Sequence, residues 1–230
     1  GNQHEITQSE AVKYSREKKT TGTKKTVLFV GDSFMGDLFG SLYEPLNKMG
    51  LSPNAFFLDD GCFAFINSSD ELPTSCKSVI KQIDSLDKKM FHASLVIFHS
   101  RYSSANIRKL EIFYNFCKKA NPSCKLLVLG PRAEWRDVPV MLSTQIGNFN
   151  VDEIKQASYM HRADSRYRKT NRALKREARR LRVPYIDMEA LMCSHDLKEC
   201  DVVDDKLNVL IYDHAHWSTY GQLFYSKKLL

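Results

Sequence analysis

With 230 residues, of which 43% are hydrophobic and 27% charged, and a formal net charge of +7, the chain is long enough to bury one sizeable core and does not require two domains. No apolar run approaches the roughly 20 residues a membrane-spanning helix needs, and there is no internal repeat or low-complexity tract. It begins Gly-Asn without methionine, which reads as an excised or processed piece, so the lack of a leader is uninformative.

Residues 1–24 are polar and lysine-rich, with Lys18, Lys19, Lys24 and Lys25 around Thr-Gly-Thr, and read as a linker ahead of a single domain over 25–230. Thr26 to Val30 is an apolar, β-branched run suited to a strand buried on both faces, and Gly31-Asp32 ends it. Phe34, Leu38, Leu42 and Leu46 then recur at helical spacing, which predicts a helix near 34–48 and leaves Ser33 between strand and helix. Further expected elements are a strand near 54–58, a helix near 76–90, a strand near 94–99, a helix near 105–119 and a strand near 125–130. An irregular loop follows, then one long helix near 152–182, a strand near 184–186, a short strand closed by Leu210, Ile211 and Tyr212, and a closing helix from Trp217 to Leu230. Such alternation argues an α/β fold of three layers, α/β/α, around a mostly parallel sheet.

The chemistry concentrates at two places. A serine at the carboxyl end of a strand and the start of a helix sits where open α/β sheets bind ligands, beside free N–H groups and the positive end of a helix dipole. Gly-Asp-Ser is equally an ordinary turn with an N-cap serine. Near the other end, Asp213 and His216 share one turn, so Asp213 can accept from Nδ1–H of His216 and leave Nε2 outward as a base for Ser33. His214 reads as a solvated or packing histidine. Asp213, His214 and His216 also have metal-ligand chemistry, but the only other candidates by pattern are Asp59 and Asp60, so no metal is expected.

In the loop from Gly130 to Asn150, Pro131, Arg132, Glu134, Trp135 and Arg136 follow a strand end on the edge of the proposed site. Trp135 and Arg136, with Arg101 and Tyr102, are candidate sugar contacts, and a plain loop is the alternative for each. The positive charge concentrates in residues 162–182, where Leu174, Ala178 and Leu181 form one apolar stripe, so the segment reads as an amphipathic basic helix. A solvated face explains it; attraction to anionic lipid headgroups or acidic glycan is the functional alternative. No DNA- or RNA-binding motif accompanies it, so nucleic acid is not expected as a partner. Six cysteines fall into sequence-near pairs, Cys62 with Cys76, Cys117 with Cys124 and Cys193 with Cys200, out of fifteen pairings that six permit.

Gly-Asp-Ser at 31–33 and Asp-x-x-His at 213–216 resemble the first and last conserved blocks of the SGNH (GDSL-like) hydrolases. The match is closer still to the SGNH domains fused to membrane-embedded acyltransferase-3 proteins, which O-acetylate bacterial surface polysaccharides. Leu95 to Ser103 (LVIFHSRYS), Gly61-Cys62 and Cys193 to Gly221 (CSHDLKECDVVDDKLNVLIYDHAHWSTYG) carry the same likeness, which spans roughly residues 25–230. The general pattern has an oxyanion-binding Asn in its third block, where this chain has Ser100, Arg101 and Tyr102, and Trp217 replaces the usual Leu after the histidine.

The resemblance implies an SGNH/flavodoxin-like fold and a triad of Ser33, His216 and Asp213. It also implies oxyanion donors in the N–H groups of Ser33 and Gly61 and a Cys193–Cys200 disulfide; where the family's Asn is missing, Arg101 is the candidate third donor. It further implies a periplasmic or membrane-tethered domain outside the bacterial inner membrane. No cofactor would reside in the domain; an acyl group, acetyl and ultimately from acetyl-CoA, would come from an acyltransferase-3 membrane domain in the same parent chain. The acceptor would be a surface polysaccharide or lipopolysaccharide O-antigen. Alternatives on the same fold are a carbohydrate esterase and a glycan-binding module without catalysis.

Overall fold

The apolar run after Lys25 is a strand buried on both faces. In the computed structural model, which describes residues 24–58, 83–102, 108–136, 138, 142, 149–162 and 166–230, β1 (Thr26–Gly31) puts Val27 and Phe29 into one buried cluster and Leu28 and Val30 into another. This two-residue alternation repeats in β3 (Ala93–His99) and β4 (Leu126–Leu129), where Ile97 and Leu129 face one way and Val96, Phe98, Leu126 and Val128 the other. With β2 (Ser52–Phe57) and β5 (Tyr185–Ile186) these strands form a sheet of order β2-β1-β3-β4-β5, parallel at every pairing.

Helices cover both faces. On one side lie α1 (Ser33–Lys48), α4 (Val151–Met160), α6 (Met188–Met192) and α7 (Thr219–Leu229). On the other lie α2 (Ile83–His92), α3 (Arg108–Ala120) and α5 (Arg166–Arg180). The expected three-layer, mostly parallel fold is therefore correct. Its strand order reverses between β1 and β3, the point at which sheets of this winding open a crevice at the carboxyl ends of the strands.

Two expected elements differ. The long helix near 152–182 is two helices, because α4 ends at its C-cap His161 and Arg162 pairs as a bridge with Trp135. The Arg162 guanidinium lies 3.9 Å from the Tyr159 ring centroid and 3.7 Å from buried Glu189, an inward position that a continuous solvated helix would not give it. Leu210 to Tyr212 is no strand of the sheet. Ile211 bridges to Trp217 while Ser218 N–H donates to Leu210 O, so the chain folds back on itself as a tight loop. Gly221 lets α7 close over that loop, since a Cβ there would stand 2.1 Å from the Leu210 carbonyl oxygen. The start of the helix expected near 76–90 lies outside the described residues, as do residues 1–23 of the linker and both Cys62 and Cys76.

Disulfides join Cys193 to Cys200 across the hairpin of β6 (Cys193–Ser194) and β7 (Glu199–Cys200), and Cys117 in α3 to Cys124 just before β4. The first was implied by resemblance; the second settles a pairing the sequence left open. Leu174 and Ala178 of α5 are buried as the apolar stripe requires. Part of its basic face is neutralised locally, with Arg180 paired to Glu111 and Glu177 and Arg168 near Glu189. No helix among the described residues is long and apolar enough to cross a membrane.

Candidate active site

Ser33 is the first residue of α1, but it is not the cap. Asp32 takes that position, its Oδ1 accepting from Phe34 N–H at 3.0 Å, which leaves the serine hydroxyl to other partners. The other Asp32 oxygen accepts from Ser100 Oγ at 2.9 Å and from Arg101 N–H at 2.6 Å, so the turn after β1 is latched to the turn after β3. Gly31 is required between them. Its φ is +154°, and a Cβ there would lie 1.7 Å from the His99 carbonyl oxygen.

The loop after Leu210 delivers the second half of the site. Asp213 Oδ1 accepts from the backbone N–H groups of Ala215 and His216, each at 2.8 Å, and Oδ2 stands 2.7 Å from Nδ1 of His216. Nε2 of the same ring is 2.9 Å from Ser33 Oγ, across 183 residues of sequence. An ionised carboxylate only accepts, so Nδ1 carries the imidazole proton and Nε2 is left to accept the serine O–H. Burial works to raise the Asp213 carboxyl; the hydrogen bonds from the His216 ring and from the Ala215 and His216 backbone outweigh it and hold the group well below the usual carboxylate range.

The imidazole is walled in. Tyr212 stacks on it with centroids 5.9 Å apart, while Phe34 and His214 meet it edge-on at 5.2 and 5.7 Å, leaving His216 only 5% exposed. Such an arrangement fits nucleophile activation by a base whose tautomer is fixed from behind. Among the described residues no cluster of three His, Cys, Asp or Glu groups is arranged to hold a metal ion.

Two expected substrate contacts are corrected. Trp135 is buried, with its indole N–H donating to Ser158 O at 2.8 Å, and Tyr102 is buried with its ring edge-on to Phe98; both belong to the interior and neither offers a face to a sugar. Arg132, grouped with them as a loop residue, is fully buried as well. Arg136 is exposed. Arg101 lies at the site's edge with its N–H committed to Asp32 and its guanidinium 3.0 Å from Glu134. Gly61 lies outside the described residues.

The sequence did not reveal the buried polar group beneath the site. Arg132 donates from Nη1 to Asp37 Oδ2 at 2.7 Å, from Nη2 to Phe34 O at 2.6 Å and from Nε to His99 Nε2 at 3.1 Å. Burial pushes the Asp37 carboxyl up, an effect the Arg132 charge offsets in part. Burial, with the Arg132 cation beside it, holds His99 well below the usual histidine range. The available signal was spacing: Asp37 falls between buried Phe34 and Leu38 on the inner face of α1. A cavity of about 660 Å³, lined by Leu95, Tyr114, Leu126 and Leu181 among others, opens at the amino ends of β3 and β4, the opposite edge of the sheet from Ser33.

Among known proteins, a family model described as "SGNH domain (fused to AT3 domains)" matches residues 4–230. No curated protein matches the chain. Of solved structures, the periplasmic domain of a lipopolysaccharide acetyltransferase from Salmonella ser. Paratyphi A superposes with a TM-score of 0.72 at 16% identity, covering 96% of this chain and 87% of that one. A protein described as a GDSL-like lipase from Parabacteroides merdae gives 0.50 at 10% identity, covering 90% and 95%. One described as a platelet activating factor from Streptococcus pneumonia gives 0.50 at 13%, covering 99% and 91%. At such identities the likeness to these structures is one of fold.

Proposed function

The chain belongs to the family of SGNH domains of the kind fused to AT3 domains, and from that premise we propose that it is a serine-dependent O-acyltransferase domain acting on a bacterial surface polysaccharide. The observation that carries this reading is the continuous relay from Ser33 Oγ through His216 to Asp213, with links of 2.9 and 2.7 Å. As His216 Nε2 takes the hydroxyl proton, Ser33 Oγ bonds to the carbonyl carbon of an acyl donor. The tetrahedral oxyanion collapses, the donor's leaving group departs with the proton from His216, and an acyl-serine remains. A saccharide hydroxyl then gives its proton to His216 and attacks the acyl carbon. Its tetrahedral adduct expels Ser33 Oγ, which recovers the proton, and the O-acyl sugar leaves.

Asp213 holds the tautomer throughout and faces the imidazolium formed in each half-reaction. The N–H of Ser33, one of the first-turn groups of α1 without an intrahelical partner, is the proposed first oxyanion donor. Gly61 is carried as a second donor on the strength of the family likeness, and Arg101, where the family pattern has Asn, is proposed as a third. Arg136, exposed beyond the same sheet edge, remains a candidate sugar contact. The acyl group, acetyl in this reading and ultimately from acetyl-CoA, is handed over by an AT3 membrane domain of the parent chain. The domain then works in the periplasm, where α5 can meet anionic headgroups through Lys169 and Arg172.

Water in place of the sugar makes the same site an esterase, and a binding module would need no relay at all. Treatment with a serine-directed fluorophosphonate should give one adduct, lost in Ser33→Ala with the fold intact. No adduct on the folded wild-type domain refutes covalent catalysis. Mass spectrometry of polysaccharide from cells carrying the parent protein with Ser33→Ala should then show lost O-acyl groups; unchanged O-acyl content refutes the transferase assignment.

A further inference from the structure

The proposed site uses Ser33 and His216, and each is followed in sequence by a residue that Arg132 holds. Phe34, next to the serine, gives its carbonyl to Arg132 Nη2 at 2.6 Å. Trp217, next to the histidine, lies under the guanidinium with its ring centroid 3.8 Å away, and its backbone N–H donates at 3.1 Å to Asp37 Oδ2, the oxygen that Arg132 Nη1 also engages. The fork is closed by His99, whose Nε2 accepts from Nε while Nδ1–H points to Leu129 O at 3.4 Å. All of this is out of water: Arg132 and His99 are fully buried, Asp37 is 2% exposed and Trp217 1%.

We propose that Arg132 is a positioning residue for acyl transfer, a clamp that sets the distance between the Ser33 hydroxyl and the His216 imidazole. This rests on the reading of Ser33 as nucleophile. The nucleophile comes from the start of the chain and the base from its end, so nothing local fixes their separation. The guanidinium spans both. Its three donor directions and flat face fit four partners at once, which a lysine ammonium on a flexible stem cannot reproduce. Its charge is met by Asp37 at 2.7 Å, so the imidazolium that forms during catalysis meets a locally neutral pair rather than a bare cation. Phe34 extends the clamp to the base directly, with its ring under the guanidinium on one side and edge-on to His216 on the other.

Arg132→Lys keeps the charge and removes the fork. Misplacement of reacting groups by about 1 Å costs on the order of 100-fold, so the fluorophosphonate labelling rate of Ser33 and kcat for p-nitrophenyl acetate should both fall roughly 10- to 100-fold. KM should stay within about twofold, since ground-state binding is untouched. Phe113→Leu, in the cluster on the far face of the sheet, serves as a control: it lowers Tm without touching the clamp and should label at the wild-type rate well below its own Tm. Should Arg132→Lys not fold, the paired change Arg132→Gln with Asp37→Asn removes both charges together and should show the same fall. A folded Arg132 variant that labels at the wild-type rate overturns the clamp, as does a slowing that Phe113→Leu matches at equal Tm. Absence of labelling in the wild-type chain removes the nucleophile assignment itself, a separate outcome.

Discussion

Replacing Asp213 by asparagine should damage catalysis far more than stability, for a reason that lies in how its two oxygens are used. Oδ1 accepts from two backbone N–H groups, those of Ala215 and His216, at 2.8 Å each. An asparagine must therefore keep its carbonyl oxygen at that position and turn its NH₂ toward Nδ1 of His216. A donor there forces Nδ1 to be the acceptor, the proton moves to Nε2, and Nε2–H can no longer accept from Ser33 Oγ. Enforcing the wrong tautomer costs roughly 10⁴-fold in relays of this kind, about 5.5 kcal/mol in the barrier. The backbone bonds that shape the loop survive, so Tm should move by no more than about 3 °C, the shift expected for about 1 kcal/mol in a domain of this size. The measurements are the fluorophosphonate labelling rate, p-nitrophenyl acetate turnover and a thermal melt. A folded Asp213→Asn variant that loses less than about tenfold would refute the assigned tautomer and the role given to the carboxylate.

Other expectations concern the interior. His99 is held well below the ordinary value of 6.5, so in the window between its folded value and 6.5 the unfolded chain carries a proton that the folded chain refuses. Its contribution to stability is thus present above that window and lost as pH falls through it, at up to about 1.4 kcal/mol per unit, or roughly 3–6 °C in Tm per pH unit. Buried Asp37 and Glu189, whose carboxyls burial raises, act in the opposite direction, so the measure is the difference between wild type and His99→Gln across pH; equal slopes would contradict it. Trp135→Phe removes the donor to Ser158 O and should cost about 1–3 kcal/mol of stability while leaving KM for any saccharide unchanged; a raised KM would restore Trp135 as a sugar contact. The Cys193–Cys200 bond closes a loop with a separation of 7, worth about 2.5 kcal/mol by chain entropy. Cys193→Ala with Cys200→Ala should accordingly melt roughly 5–10 °C lower with labelling at 25 °C unchanged, and an unaltered melt would show that the hairpin is held by packing alone.

What could be read in the sequence was what depends on near neighbours. The strand before Gly31, the helix after Ser33 and the Asp213–His216 pair are each set within a few residues, by side-chain periodicity or by one turn. The doubly wound sheet follows from the order of such pieces. What escaped was set by distant contacts. The 152–182 segment has the periodicity of one helix, but Arg162 is drawn inward by Glu189 and by its bridge to Trp135, and tertiary contact overrides propensity there. Trp135 and Arg132 look like rim residues in a loop after a strand; only the contacts of Arg132 with α1 and Trp217, and of Trp135 with Ser158 of α4, show that they lie inside. Arg132 and Asp37 are 95 residues apart, and nothing near either one announces the other.

The three aspartates around the site face different demands, and their surroundings divide the work. Asp32 accepts from Phe34 N–H, Ser100 Oγ and Arg101 N–H, so its task is to hold two turns together at the crevice. Asp37 faces a charge that is always present, that of Arg132, and the pair can be buried because neither member takes part in the proposed proton transfer. In the proposed mechanism Asp213 faces a charge that appears only while His216 holds the serine's proton, and its side chain keeps 30% exposure. A permanent buried pair loses about 3–5 kcal/mol when one partner is deleted, whereas a partly solvated carboxylate that keeps its backbone bonds as an amide does not. Loss of Asp37 should therefore show first in folding and then, through Trp217, in the placement of the base. Loss of Asp213 should show in chemistry with the fold intact, and an opposite ordering of the two would mean that the relay owes its geometry to something other than the buried pair beneath it.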